Sequence, residues 1–109
     1  METIVYSKKD LNKAIKSGEK SIVVRGKLAR KIQLLGKVNK SKVTNLSEDM
    51  SVYRTAGLLV GLPVSVAITV VITLGVVAII AILKNYRIVI KKKDVEIVLE
   101  KEVDKEVKK

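Results

Sequence analysis

Five small or hydroxylated residues recur at every fourth position near the middle of the chain. They are Gly57, Gly61, Ser65, Thr69 and Thr73. On a helix, positions four apart lie close to one face, where small residues let two helix backbones approach closely. Ser and Thr can also hydrogen-bond across such a contact. The spacing predicts a helix–helix contact between copies of the chain, and therefore a homo-oligomer.

Side chains that perform catalysis or bind metals are scarce. The 109 residues include no His and no Cys. Their absence excludes imidazole bases, thiolate nucleophiles, Cys/His zinc sites and disulfides. No phosphate-binding, dinucleotide-binding or hydrolase motif occurs, and the Asp and Glu residues lie in charged runs. We therefore expect a protein that is not an enzyme, with no cofactor, no catalytic residue and no metal.

The spaced residues belong to an uncharged run over residues 56–83. Pro63 suits the first turn of a helix, which places the core of the run at 64–83. About 20 residues at about 1.5 Å each cover roughly 30 Å, the thickness of the hydrocarbon core of a bilayer. The run predicts one transmembrane helix, with a tilt or a kink at Pro63 as an option.

Two other structures fit the same run. Val64 to Leu74 alternates in the manner of a transmembrane β-strand, and a hairpin of two such strands is one alternative. A soluble chain of this size can also bury one central apolar hairpin. The helix is favoured because residues 76–83 are apolar on both faces, Gly75 alone is a weak turn, and lipid penalises an open strand edge.

Residues 1–36 predict a small basic β-α-β-α unit. The strands are Thr3 to Tyr6 and Ser21 to Val24, and Ser7 is placed as the N-cap of the helix between them. A second helix is predicted over Lys27 to Leu35. Strands joined by such a crossover are parallel. A unit this small needs support from self-association, a membrane surface or the C-terminal strands.

The remaining segments are polar or basic. Residues 37–55 are rich in Ser, Asn and Thr and predict a linker. Residues 84–109 predict a basic β-hairpin that turns at Lys92 to Asp94, followed by a charged tail. The predicted fold class is therefore a membrane protein of α+β type, with the N-terminal unit, one transmembrane helix and a C-terminal β-hairpin.

The net charge of +11 lies entirely outside the apolar run. Residues 1–55 carry 13 Lys and Arg against 5 Asp and Glu, and residues 84–109 carry 9 against 6. Basic flanks favour anionic lipid headgroups. Aromatic residues for base stacking are few, so nucleic acid is not an expected partner. Aromatic and basic residues beside the run predict membrane-interface anchors, namely Tyr53, Arg54, Lys84, Tyr86 and Arg87.

The charge distribution also predicts a location and an orientation. The chain begins METIVYSKKD, without the apolar core of a signal peptide, so membrane entry is expected through residues 56–83. Five Lys or Arg follow the run closely and two precede it. The positive-inside rule then places the C-terminus of a single-pass protein in the cytoplasm. A re-entrant or hairpin topology keeps both ends on that side.

Three functions are open at this point. The first is a small homo-oligomeric integral membrane protein that permeabilises the bilayer, such as a pore-forming effector. The second is a membrane anchor or accessory subunit that holds a protein partner, for example by strand addition to the hairpin. The third is a basic tether to anionic lipid or nucleic acid.

Overall fold

The computed structural model describes residues 3–39 and 45–102. Strands and helices alternate at the N-terminus, three helices follow, and two strands end the described chain. In chain order the elements are β1 (Thr3–Val5), α1 (Lys8–Lys16), β2 (Ser21–Arg25), α2 (Lys27–Leu35), α3 (Val52–Leu58), α4 (Val64–Leu74), α5 (Val76–Asn85), β3 (Tyr86–Lys92) and β4 (Glu96–Lys101). Part of the predicted linker (40–44) and the predicted charged tail from residue 103 onward lie outside the described residues.

Local signals explain the first two strands and the helix between them. The Ser7 hydroxyl accepts a hydrogen bond from the Asp10 N–H at 3.2 Å, which satisfies one of the free donors at the start of α1. The buried side of α1 carries Leu11 and Ala14, three positions apart. β1 and β2 pair in parallel, as two strands joined by one crossover helix do.

The C-terminal hairpin completes the sheet of the N-terminal unit. The strand order is β1-β2-β4-β3, and β4 pairs antiparallel with both β2 and β3. Val98 of β4 lies opposite Val23 on one side and Val89 on the other. The support that the small N-terminal unit needs therefore comes from strands at the other end of the described chain.

One face of the sheet packs against the helices. The side chains of Ile22, Val24, Ile97 and Leu99 are buried in one cluster with apolar residues of α1 to α5. Val23 points to the opposite face, because successive strand residues alternate, and it lies outside that cluster. The core therefore lies between a four-stranded mixed sheet and a layer of helices, an α+β arrangement.

The predicted fold, with one transmembrane helix over 56–83, is wrong. Within residues 3–39 and 45–102, no single helix is long and apolar enough to cross a bilayer; α4 and α5 meet that condition only as a pair bent by 99°. The bend lies at Gly75, whose φ of 87° and ψ of 151° are open to glycine and costly for other residues. The run is thus divided into separate helices, each with one side in the core.

The strand-like alternation of Val64 to Leu74 does not produce a strand. α4 buries Ala67, Val70, Val71 and Leu74, which follow helical spacing. Together α4 and α5 bury six Val, Leu and Ile side chains. Full burial of each is worth roughly 1.5–3 kcal/mol. That gain exceeds the helix-propensity penalty of β-branched residues, which stays below about 1 kcal/mol per residue.

Candidate binding surface

The side of α4 that faces away from the core is aliphatic and hydroxylated. We call it the α4 outer face. It comprises the exposed residues Val64, Ser65, Thr69 and Ile72, together with Ile68, which is partly buried and also packs against the core. Val64 is 66% exposed and Ile72 is 62% exposed. Exposed aliphatic side chains on one helix face make this surface a candidate interaction site.

The α4 outer face carries no charge. No Asp, Glu, Lys or Arg lies between Arg54 and Lys84, whereas the outward side of a helix in water is normally rich in charged residues. The Thr69 hydroxyl donates to the Ser65 carbonyl oxygen at 3.0 Å, within the helix. Because this donor is already satisfied, removing water from the Thr69 hydroxyl costs less than removing it from a free hydroxyl.

Lysines lie near both ends of α4. At the C-terminal end, the side chain of Lys8 passes Gly75, with its Cε 3.2 Å from the position that a Cβ would occupy there. At the N-terminal end, Gly61, three residues before α4, lies directly against the backbone of Lys37. Lys37 is an exposed residue. The Asn39 N–H donates to the Val60 carbonyl oxygen at 2.7 Å and fixes this approach. Lys8 and Lys37 therefore lie near the two ends of α4.

The structure distributes the predicted oligomer-contact residues over three segments. Gly57 is in α3, Gly61 is in the connection after it, and Ser65, Thr69 and Thr73 are in α4. Gly61 has a φ of 115° and packs against another backbone, so the turn itself requires a glycine there. Ser65 and Thr69 come together on the α4 outer face, and Thr73 is half-buried at its margin.

Three of the predicted interface anchors are exposed. Tyr53 is 75% exposed on α3, and Arg54 beside it is also exposed. Lys84 is exposed near the end of α5. These side chains are free to meet a surface.

The other two predicted anchors belong to the sheet. Tyr86 is only 2% exposed, and its hydroxyl donates to the Glu19 carbonyl oxygen at 2.7 Å. Burial, with a smaller effect of the Glu19 carboxylate, raises the pKa of Tyr86. Arg87 pairs with Glu100 on the neighbouring strand, and the hydrogen bond to that carboxylate raises the pKa of Arg87.

A pair of hydrogen bonds joins α2 to the turn between β3 and β4. The Gln33 side-chain amide donates to the Asp94 carboxylate at 3.3 Å, and the Asp94 N–H donates to the Gln33 side-chain oxygen at 2.9 Å. Asp94 has a φ of 64°, a conformation that Asp tolerates better than most residues. Sequence reasoning missed this contact because 61 positions separate the two residues and no local pattern connects them.

Comparison of the chain with protein-family models, with curated proteins and with solved structures found no match. Within residues 3–39 and 45–102, no three His, Cys, Asp or Glu side chains form a group able to hold a metal ion. The arrangement described above offers binding through apolar contact and positive charge.

Proposed function

We propose that this protein is a noncatalytic binding module that docks on an anionic bilayer surface through the α4 outer face. The observation that supports the proposal is an exposed helix face with aliphatic and hydroxyl side chains and no charge. In this arrangement the helices stay packed on the sheet. Only the outward side chains enter the boundary between headgroups and acyl chains, as those of interfacial helices do.

Apolar contact alone gives weak docking. Complete burial of one Val or Ile side chain contributes roughly 1.5–3 kcal/mol. Val64, Ile68 and Ile72 are already partly buried, so together they contribute on the order of 4 kcal/mol. A single myristoyl chain, which is more apolar, supports only marginal and reversible membrane binding. The α4 outer face therefore needs a second source of affinity.

Positive charge provides that source. The chain carries a net charge of +11, and each Lys or Arg near an anionic surface contributes about 1 kcal/mol. Lys8 and Lys37 are placed at the two ends of α4. A few such contacts equal the apolar contribution, so docking depends on both. Salt screens the electrostatic part and leaves the apolar part.

Flotation of the full chain with lipid vesicles tests the proposal. We expect the protein to float with vesicles that contain phosphatidylglycerol and to bind purely phosphatidylcholine vesicles much less. Added salt should release it. Absence of binding to anionic vesicles at low salt, or equal binding to both vesicle types, contradicts the proposal.

Matched variants locate the contact. The double change Val64→Ser and Ile72→Ser should weaken anionic-vesicle binding by more than roughly tenfold, because it removes two large side chains from the docking face. Val95→Ser is the control, since Val95 is an exposed aliphatic residue (48%) that lies in the hairpin turn, outside α4. Equal losses in the control and the double variant would place the contact elsewhere. Circular dichroism checks that both remain folded.

Self-association through the same face is the second candidate. Ser65 and Thr69 are exposed one turn apart on α4, where a second helix can approach. A pore-forming homo-oligomer stays a prediction from the sequence. Dye release from anionic vesicles, measured with cross-linking, separates the two candidates: docking without leakage favours the surface module, and leakage that rises with oligomer formation favours the pore.

A further inference from the structure

A second surface lies at the edge of the sheet, on β3. This strand ends the order β1-β2-β4-β3, so one of its sides has no neighbouring strand within the described residues. At seven residues it is longer than the three-residue β1 at the opposite edge. A long edge strand presents backbone donors and acceptors to any extended chain.

The register shows which backbone groups point outward. The Glu102 N–H donates to the Asn85 carbonyl oxygen at 2.8 Å, which makes these opposed residues a hydrogen-bonded pair. In an antiparallel ladder such pairs alternate with non-bonded ones. The next pair, Tyr86 and Lys101, is therefore non-bonded. Consistent with this, the Lys101 N–H turns the other way and donates to the Lys20 carbonyl oxygen at 2.8 Å.

The same alternation continues along β3. Arg87 and Val89 direct their backbone groups toward β4, and Ile88 and Ile90 direct their N–H and carbonyl groups outward. A register irregularity between Ile90 and Lys92 ends the regular ladder. The outward groups therefore form a short template that can receive an extended segment of about five residues.

The side chains around this template are basic. From residue 84 to residue 93 the chain has no Asp or Glu, and its charged residues are Lys84, Arg87, Lys91, Lys92 and Lys93. Two copies of β3 paired with each other would bring these positive charges together, which is destabilising. The charge therefore disfavours a second copy of the chain and favours an acidic segment.

We infer that β3 takes an acidic, extended peptide segment of a partner protein as a fifth strand. Outward backbone groups of Ile88 and Ile90 supply the ladder, and these side chains share one face of the sheet. Ile90 is 53% exposed, so an apolar residue of the segment can cover it. Lys92 lies on the opposite face, where an acidic residue of the segment can meet it; Arg87, on that same face, already pairs with Glu100. None of these residues belongs to the α4 outer face.

Titration with synthetic peptides tests this inference. The probe is a peptide of alternating Glu and Val, and its controls are the same peptide with Lys in place of Glu and a scrambled peptide of unchanged composition. We expect the probe to slow hydrogen exchange at the Ile88 and Ile90 amides, which a nonspecific ionic contact does not do. No slowing, or the same slowing with the scrambled peptide, overturns the inference.

Two variants keep the test independent of folding problems. Ile90→Pro removes an outward N–H and spares the bonds to β4, so it should abolish binding of the probe. Lys91→Glu with Lys92→Glu should weaken binding roughly tenfold, since it reverses two charges at the edge. Lys9→Glu with Lys16→Glu changes the net charge equally on α1 and should have a much smaller effect. Equal weakening by both charge pairs overturns the assignment to β3.

Discussion

The helices α2 and α4 are neighbours in the same layer and have similar inner sides but different outer sides. α2 buries Leu28, Ala29, Ile32 and Leu35, and α4 buries a comparable aliphatic set. The outward side of α2 carries Lys27, Arg30 and Lys31, whereas that of α4 carries aliphatic and hydroxyl side chains.

The comparison shows that the inner and outer sides of a helix have different roles. The inner side determines where the helix lies, and both helices meet that requirement in the same way. The outer side determines what the helix meets next. Charged residues keep the outer side of α2 in water, and their absence from the α4 outer face leaves that face suited to lipid or another apolar surface.

The largest effect is expected where the end of α2 meets the start of α4. At Gly61 the φ of 115° is unsuited to a β-branched residue, and an added Cβ would overlap the carbonyl oxygen of Lys37. Gly61→Val should lower the free energy of unfolding by about 4 kcal/mol or more, measured by urea denaturation. Gly57→Ala is the control, because a Cβ at Gly57 meets nothing within 4 Å; it should be neutral or slightly stabilising.

Truncation of a buried side chain should lower the free energy of unfolding equally in α2 and in α4. Ile32 in α2 and Leu74 in α4 are both fully buried. Ile32→Ala and Leu74→Ala should each lower the free energy of unfolding by about 3 kcal/mol, through lost apolar contact and the cavity left behind. A large effect at Ile32 with none at Leu74 would show that α4 does not belong to the stable core.

Substituting the glycines at the ends of α2 and α4 tests whether the backbone conformation there requires glycine. Gly26 precedes α2 with φ 82°, and Gly75 follows α4 with φ 87°. Gly26→Ala and Gly75→Ala should each cost about 1–3 kcal/mol of unfolding free energy. The cost at Gly75 should be slightly greater because the Lys8 side chain must move. A stabilising Gly75→Ala would instead indicate that the bend between α4 and α5 is not required.

A smaller effect is expected from the polar contact of α2. Gln33→Ala removes both hydrogen bonds to Asp94 and should lower the free energy of unfolding by about 1 kcal/mol. Hydrogen exchange should quicken in the turn between β3 and β4. Thr69→Val, the matched change on α4, removes only a bond within its own helix and should be close to neutral. Equal effects of the two would mean that Gln33 does not hold the turn.

The smallest change in stability is expected on the α4 outer face. Ile72→Lys should alter the free energy of unfolding by less than about 0.5 kcal/mol, because the side chain is mostly exposed. It should nevertheless reduce docking to anionic vesicles, since an apolar contact is lost from the docking face. If docking instead increases, charge alone accounts for membrane binding.

The difference between α2 and α4 also explains which of their features could be predicted from the sequence. The bounds Lys27–Leu35 of α2 agree with the prediction because apolar residues alternate there with Lys and Arg at helical spacing. α4 lacks that contrast, so its buried and exposed positions look alike in the sequence. The four-residue spacing located Ser65 and Thr69 but gave no reason to select Ile72, whose exposure depends on how the rest of α4 packs.

Long-range pairing was beyond the reach of local patterns. The alternation in the hairpin predicted its two strands, but nothing in it indicates that β4 lies between β2 and β3. The outward groups of Ile88 and Ile90 depend on that order, and so does the candidate site on β3. Whether a strand lies at the edge or in the centre of a sheet depends on the strand order. A short stretch of sequence carries no information on that order.

The central position of β4 also governs when the chain can fold during synthesis. β2 leaves the ribosome early, but its antiparallel neighbour is Glu96–Lys101, near the end of the described chain. Until that segment emerges, β2 has an open edge where β4 pairs in the folded protein. An open strand edge can pair with other chains, which favours aggregation. The four-stranded sheet can therefore be completed only after Glu96–Lys101 has emerged to pair with β2.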